Sequence, residues 1–219
     1  MNRLVEAQYN KRVETFTYDR VGNRLTQTVD DALSQYSYNV KNQLKQIETE
    51  NGITHFTYDR QGNTIKEGTP QGTNTFEYNT LSQQIAVTAF EGNTLKSKYD
   101  AEGLRYEIEE NEKLTRFIYH KKNVLVETDE EEQPKIRFSR GYGVVAADYT
   151  IGSNALSRYY YTQDEQGSTA YITDKEQVVQ NEYFYDAFGN VLDSKETVPN
   201  RITYVGQQFD PITQQYYLR

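Results

Sequence analysis

Tyrosine returns at Tyr18, Tyr38, Tyr58, Tyr78, Tyr99 and Tyr119, in steps of 20 residues with a single step of 21. The next position is Asp or Asn in Asp19, Asn39, Asp59, Asn79 and Asp100, and only His120 departs. Three residues further on stands a turn-former: Gly22, Asn42, Gly62, Ser82, Gly103 or Asn123. Asn23, Gln43, Asn63 and Gln83 sit beside the first four. A fixed period of this length marks one supersecondary unit stacked many times. Such an array has no single central core, because each unit packs mainly on its neighbours.

Inside one period the spacing predicts strands. Phe16 and Tyr18, Tyr36 and Tyr38, Phe56 and Tyr58, Phe76 and Tyr78, and Phe117 and Tyr119 all lie two residues apart. That interval puts both rings on one face of a strand and Thr17, Ser37, Thr57, Glu77 and Ile118 on the other. Asp19-Arg20-Val21-Gly22 then reads as a type I turn with glycine in the left-handed position that makes a bulge. Asp and Asn interchange at its first position because either side chain accepts from the backbone N–H two residues on. An aliphatic follows each turn, at Leu25, Leu44, Ile65, Ile85, Leu104 and Leu125. A second turn signal comes about ten residues after the first, at Asp30-Asp31, Asn51-Gly52, Gln71-Gly72, Glu91-Gly92 and Asn111-Glu112. Each period is thus two strands of six or seven residues and two tight turns, an all-β antiparallel ribbon.

Aliphatic packing is thin in this chain of 219 residues. The apolar fraction of 36% includes 20 Tyr. Without Tyr and with Gly counted it is about a third, against about 45–50% in ordinary domains. The tyrosine rings therefore supply much of the buried area, and their apolar faces and polar tips suit a wall that is dry on one side and wet on the other. Net charge is −8, which repels phosphate backbones and argues against nucleic-acid or anionic-membrane partners. With no Cys there is neither a disulfide nor a thiolate metal site. No apolar stretch approaches the roughly 20 residues of a membrane span, and no targeting signal is legible. The chain starts and stops within the repeat pattern, so a piece of a longer protein is expected.

After about residue 126 the register loosens. Asp129 to Glu132 is a run of four acids, read as a solvated turn, and Gly141-Tyr142-Gly143 is read as a wide turn. Further copies carry Asp164 with Gly167-Ser168, Thr173-Asp174, and Tyr185-Asp186-Ala187-Phe188-Gly189-Asn190. The chain closes on Tyr204-Val205-Gly206-Gln207-Gln208-Phe209-Asp210 and Tyr216-Tyr217-Leu218-Arg219. These motifs resemble the YD repeats of the Rhs family, which includes bacterial polymorphic toxins, wall-associated proteins and animal teneurins. Residues 1–139 are similar to its repeat array and 140–219 to its repeat-associated core. The resemblance implies a spiralling antiparallel β-sheet, part of a hollow shell around a C-terminal toxin or effector domain, in a parent protein that is secreted or held at the cell surface or wall. Two departures stand out. Gln214-Gln215 follows Thr213 where the family usually has Gly-Leu, and the chain stops short of the downstream self-cleavage region, so no residue here is expected to inherit that role.

No catalytic, cofactor-binding or metal site is expected. His55 and His120 have no companion at ligand spacing, and Asp210-Pro211 is read as a structural turn. The repeat residues themselves are read as structural, the aromatic ladder serving mainly for stacking between units. An alternative reading makes that ladder a carbohydrate- or cell-binding strip. Edge-to-edge self-association through free strand edges is a further expected partnership.

Overall fold

In the computed structural model, which describes residues 3–9, 12–151 and 155–218, nearly every stretch between two turns is a strand. There are two compact units, Met1–Asn93 and Thr94–Arg219. The first holds β1 (Glu6–Tyr9), β2 (Arg12–Tyr18), β3 (Arg24–Val29), β4 (Ala32–Tyr38), β5 (Leu44–Thr49), β6 (Gly52–Tyr58), β7 (Thr64–Thr69), β8 (Gly72–Tyr78) and β9 (Gln84–Thr88). Each pairs antiparallel with the next. The second holds β10 (Thr94–Tyr99), β11 (Arg105–Glu110), β12 (Lys113–His120), β13 (Asn123–Thr128), β14 (Pro134–Arg140), β15 (Val144–Ile151), β16 (Ala155–Gln163), β17 (Thr169–Thr173), β18 (Val179–Tyr185) and β19 (Val191–Glu196). These also pair in chain order. A 3-10 turn at Tyr204–Gly206 leads to a small hairpin, β20 (Gln208–Asp210) and β21 (Gln215–Tyr217). The all-β fold expected from the period is the fold observed.

The turn chemistry explains the register. Gly22 N–H donates to Asp19 O at 3.2 Å and Asp19 N–H to Asn23 O at 2.9 Å, with Gly22 at φ +108°. The left-handed residue there goes with one extra residue, Leu25, on the second strand, so the pairing slips by one at Tyr18. The same slip falls at Tyr38, Tyr58, Tyr78, Tyr99 and Tyr119. The device persists where the sequence register loosens: Asp129, Asp164, Asp174 and Asp186 each accept from the N–H three residues on.

Inside these turns two side-chain pairings alternate. Asp59 Oδ1 accepts from Gln61 and Asn63 N–H, while its Oδ2 accepts from the Asn63 amide at 2.8 Å. Where Asn39 replaces Asp, Oδ1 still takes the backbone donors but Nδ2 must now donate, and Gln43 Oε1 receives it at 2.8 Å. The Asn79–Gln83 pair does the same. The Asn63 side-chain amide is the largest influence holding the Asp59 carboxyl below its ordinary range. A folded-state value below the unfolded one stabilises fully above the ordinary ~3.9 and is lost as pH falls through the lowered value. A carbon-detected NMR titration should find Asp59 below ~3.9, and Asn63→Ala should move it back up. Identical ordinary midpoints in both proteins would defeat this account.

The tyrosines do more than stack. Tyr38 Oη donates to Arg24 O at 2.9 Å, Tyr58 to Leu44 O at 2.7 Å and Tyr119 to Arg105 O at 2.9 Å, each spanning 14 residues back to the strand after the preceding turn. Tyr18 reaches Leu4 O in the same way. One unit is thus tied to the one before it through the backbone, where no side-chain change removes the acceptor.

One repeat position departs from its expected place. Asn123, expected as the turn-former of its repeat, is the first residue of β13, and the left-handed residue is Lys121 at φ +55°. His120 pairs directly with Asn123 across a two-residue loop. With His in place of Asp or Asn there is no side-chain oxygen to gather the backbone donors of the longer turn. Gly52 and Gly72, expected within second turns, open β6 and β8 instead.

Candidate functional site: a charged seat beneath the C-terminal hairpin

The second unit buries charges that a wall of stacked rings does not require. Arg105 stands at the start of β11, next to Leu104, and is 3% exposed. Its guanidinium grips Asp210 on β20 with two nitrogens, one at 2.9 Å from Oδ1 and the other on Oδ2. Gln208 Oε1 accepts from the same guanidinium at 2.9 Å. The Tyr217 ring covers it at 4.4 Å, and Tyr217 Oη bridges Arg105 N–H to Gly103 O, both at 3.0 Å. Gln208 also donates to Tyr119 Oη at 3.1 Å, which ties the hairpin into the tyrosine ladder. A two-pronged buried pair of this kind is strong because both terminal guanidinium nitrogens and both carboxylate oxygens keep hydrogen bonds after leaving water, with only Arg105 Nε–H left unmet.

A second pair lies beside the first. Arg201 holds Glu110 on β11 at 2.6 and 3.2 Å and reaches Asp210 at 3.4 Å. Upstream, Asn200 Oδ1 accepts from Tyr161, whose hydroxyl also lies 2.8 Å from that of Tyr149. Thr169 Oγ1 donates to Ile202 O, so the segment from Val198 to Tyr217 is fixed to β11, β12, β16 and β17 by side chains. Burial is the main cause raising the hydroxyls of Tyr149 and Tyr161 far above the ordinary phenol range. Glu127 on β13 is also buried, and burial pushes its carboxyl up against the opposing pull of Arg201.

The sequence-derived residues fall into place unevenly. Tyr18, Asp19, Gly22, Tyr38, Asn39, Tyr58, Asp59, Gly62, Tyr78 and Asn79 lie at β-turns and strand ends of the first unit. Tyr99, Asp100, Gly103, Tyr119, Gly167, Tyr185, Asp186 and Gly189 do so in the second, and Tyr99 and Tyr119 also meet the buried seat. Gly206 belongs to the 3-10 turn, at φ +69°, and not to a repeat turn. His55 and His120 are exposed strand residues. Asp210 does open a turn, since Thr213 N–H donates to its carbonyl, but its side chain is the counter-ion of Arg105. Arg105, Glu110, Glu127 and Arg201 were not singled out from sequence. The available signal was a strong charge at the edge of an apolar run, as in Leu104-Arg105 and Val124-Leu125-Val126-Glu127. Among the described residues no three His, Asp or Glu side chains gather as a metal site.

Known proteins resemble this chain in sequence and in fold. Residues 1–218 match the family described as Teneurin YD-shell. The tRNA3(Ser)-specific nuclease WapA of Bacillus spizizenii is 31% identical over an alignment that takes in 100% of this chain and 9% of the relative. The tRNA nuclease WapA of Bacillus subtilis strain 168 gives the same identity and the same coverage. The chain therefore spans only about a tenth of the length of these relatives. Among solved structures, the Photorhabdus luminescens Tc holotoxin pore superposes with a TM-score of 0.52 at 15% identity, over 94% of this chain and 15% of that one. The TcdB2-TccC3 structure gives the same values, and at that identity the likeness is one of fold. With a shell-family match across all but its last residue, the chain belongs to the YD-repeat, or Rhs, family in its teneurin YD-shell branch.

Proposed function

We propose that this chain is a non-enzymatic stretch of β-shell wall, 1–139 as repeat array and 140–219 as core-like segment, and that in its parent protein the wall encloses a C-terminal toxin or effector domain. The observation that carries this reading is the stitched meander: every strand between the first and last of a unit's meander is paired on both sides, and tyrosine hydroxyls lock successive repeats through backbone carbonyls. Such a surface offers few free edges and resists opening, as confinement of a harmful domain requires. The relatives named as nucleases and as part of a toxin complex agree with a cargo of that kind, and with a parent that is secreted or displayed at the cell surface.

Limited proteolysis of the intact parent protein tests it. The downstream domain should survive protease levels that digest the same domain expressed alone. Equal digestion rates would rule out enclosure. The glycan-strip alternative is weakened because the hydroxyls of Tyr38, Tyr58 and Tyr119 already donate to backbone oxygens. Specific glycan-array binding lost in Tyr58→Ala would restore it.

A further inference from the structure

Glu127 is 6% exposed, yet its Oε1 has no hydrogen-bond partner, and the Nε–H of Arg201 is equally unpartnered. Leaving such groups dry and unmet is costly, so their persistence points to something that meets them. The two residues lie close enough for the Arg201 charge to act on the Glu127 carboxyl. Both line two clefts, of about 490 and 210 Å³, that share Ile136 and Pro199 as well. The larger volume is in the range of small-ligand sites and far above the ~30 Å³ of one water. Leu114, Ile136, Tyr149 and Val198 give it an apolar body.

Lys113 at the exposed start of β12 and Glu196, which accepts from the Tyr183 hydroxyl, also line the clefts, and the other charges around them are paired. Lys135 pairs with Asp129 at 2.6 Å, and the terminal nitrogens of Arg201 hold Glu110 and Asp210. What remains unmet among the buried groups of the site is one acceptor and one donor. A cation is repelled by Arg201 and an anion by Glu127. A peptide residue in extended conformation turns its own N–H and its own C=O to the same side, one for the acceptor and one for the donor, and it suits a protonated Glu127 as well, since a carboxylic acid also presents an acceptor next to its donor.

We propose that this cleft binds an extended peptide residue with an aliphatic side chain, that residue's own C=O on Arg201 Nε–H, its own N–H on Glu127 Oε1, and its side chain among Leu114, Ile136 and Val198. The site stands whether or not the wall encloses a cargo.

Isotope-labelled chain is titrated with N-acetyl-leucine N-methylamide and followed by amide NMR. Saturable shifts confined to β11–β15 and residues 198–201 are expected, in the millimolar range typical of a ligand this small. Isoamylamine and isovalerate, which carry the same aliphatic group with a charge, should bind at least about tenfold more weakly. Glu127→Gln keeps an acceptor and should retain affinity within about threefold, whereas Glu127→Leu should lose about tenfold or more. Glu127→Leu should itself fold with an unchanged or higher Tm, because hydrocarbon replaces an unmet carboxyl. If that variant does not fold, the ranking of amide over amine and acid on the unaltered chain decides. Tightest binding by isoamylamine, or equal loss in Gln and Leu variants, makes this a cation site and overturns the proposal. Tighter binding of isovaleramide than of the capped leucine overturns its peptide assignment. No saturable shift with any probe means that water alone meets the two groups, and the proposal falls.

Discussion

Arg105→Ala is expected to destabilise the second unit by about 3–5 kcal/mol, the usual cost of breaking a buried pair from one side. The loss is large because three acceptors on the hairpin and a covering ring converge on one guanidinium. Without it Asp210, which is 3% exposed, keeps only Arg201 at 3.4 Å. Denaturant unfolding followed by tyrosine fluorescence measures the change. The double variant Arg105→Met with Asp210→Leu should be less damaged than the sum of the single changes, since hydrocarbon on both sides leaves no stranded charge. Strict additivity would show that the pair is not coupled and that the seat is merely filled space.

Phe117→Ala should cost a further unit of this size, about 3–5 kcal/mol, while Ile118→Ala one residue away should change stability by no more than about 0.5 kcal/mol. Both residues are large and apolar, so composition does not separate them. Parity does. Phe117 is 4% exposed beneath Arg201 and beside Tyr119, whereas Ile118 is 54% exposed on the opposite face of β12. Thermal unfolding of the two variants is a direct reading of which side of the ribbon is dry. Comparable losses would mean that both faces are covered and that the alternation describes the strand but not the wall.

These two experiments probe features of very different legibility. That Phe117 faces inward follows from its spacing of two from Tyr119, and the same arithmetic placed Phe16 and Phe76 correctly, both buried. The turns were equally readable, because Asp59 gathers donors from residues only two and four positions away. Where a local partner was lost, the reading slipped: His120 has no side-chain oxygen for that task, and the loop shortened so that Asn123 joined β13. The tyrosine ladder was seen as stacking, but its hydroxyl bonds run 14 residues back to backbone oxygens, which no side-chain pattern reveals.

The sequence by itself determined the all-β class, the two-strand period, the bulged turns and the dry face. Each of these rests on interactions within one period, and 20-residue repetition states them again and again. Only the tertiary structure decided that Arg105 meets Asp210 across 105 residues, that Arg201 meets Glu110 across 91, and that Glu127 is left facing a cleft. Those contacts depend on where the C-terminal hairpin returns to the sheet. A charge that is buried by a distant segment looks in sequence like any other charge on a solvated strand, because burial belongs to the partner that covers it.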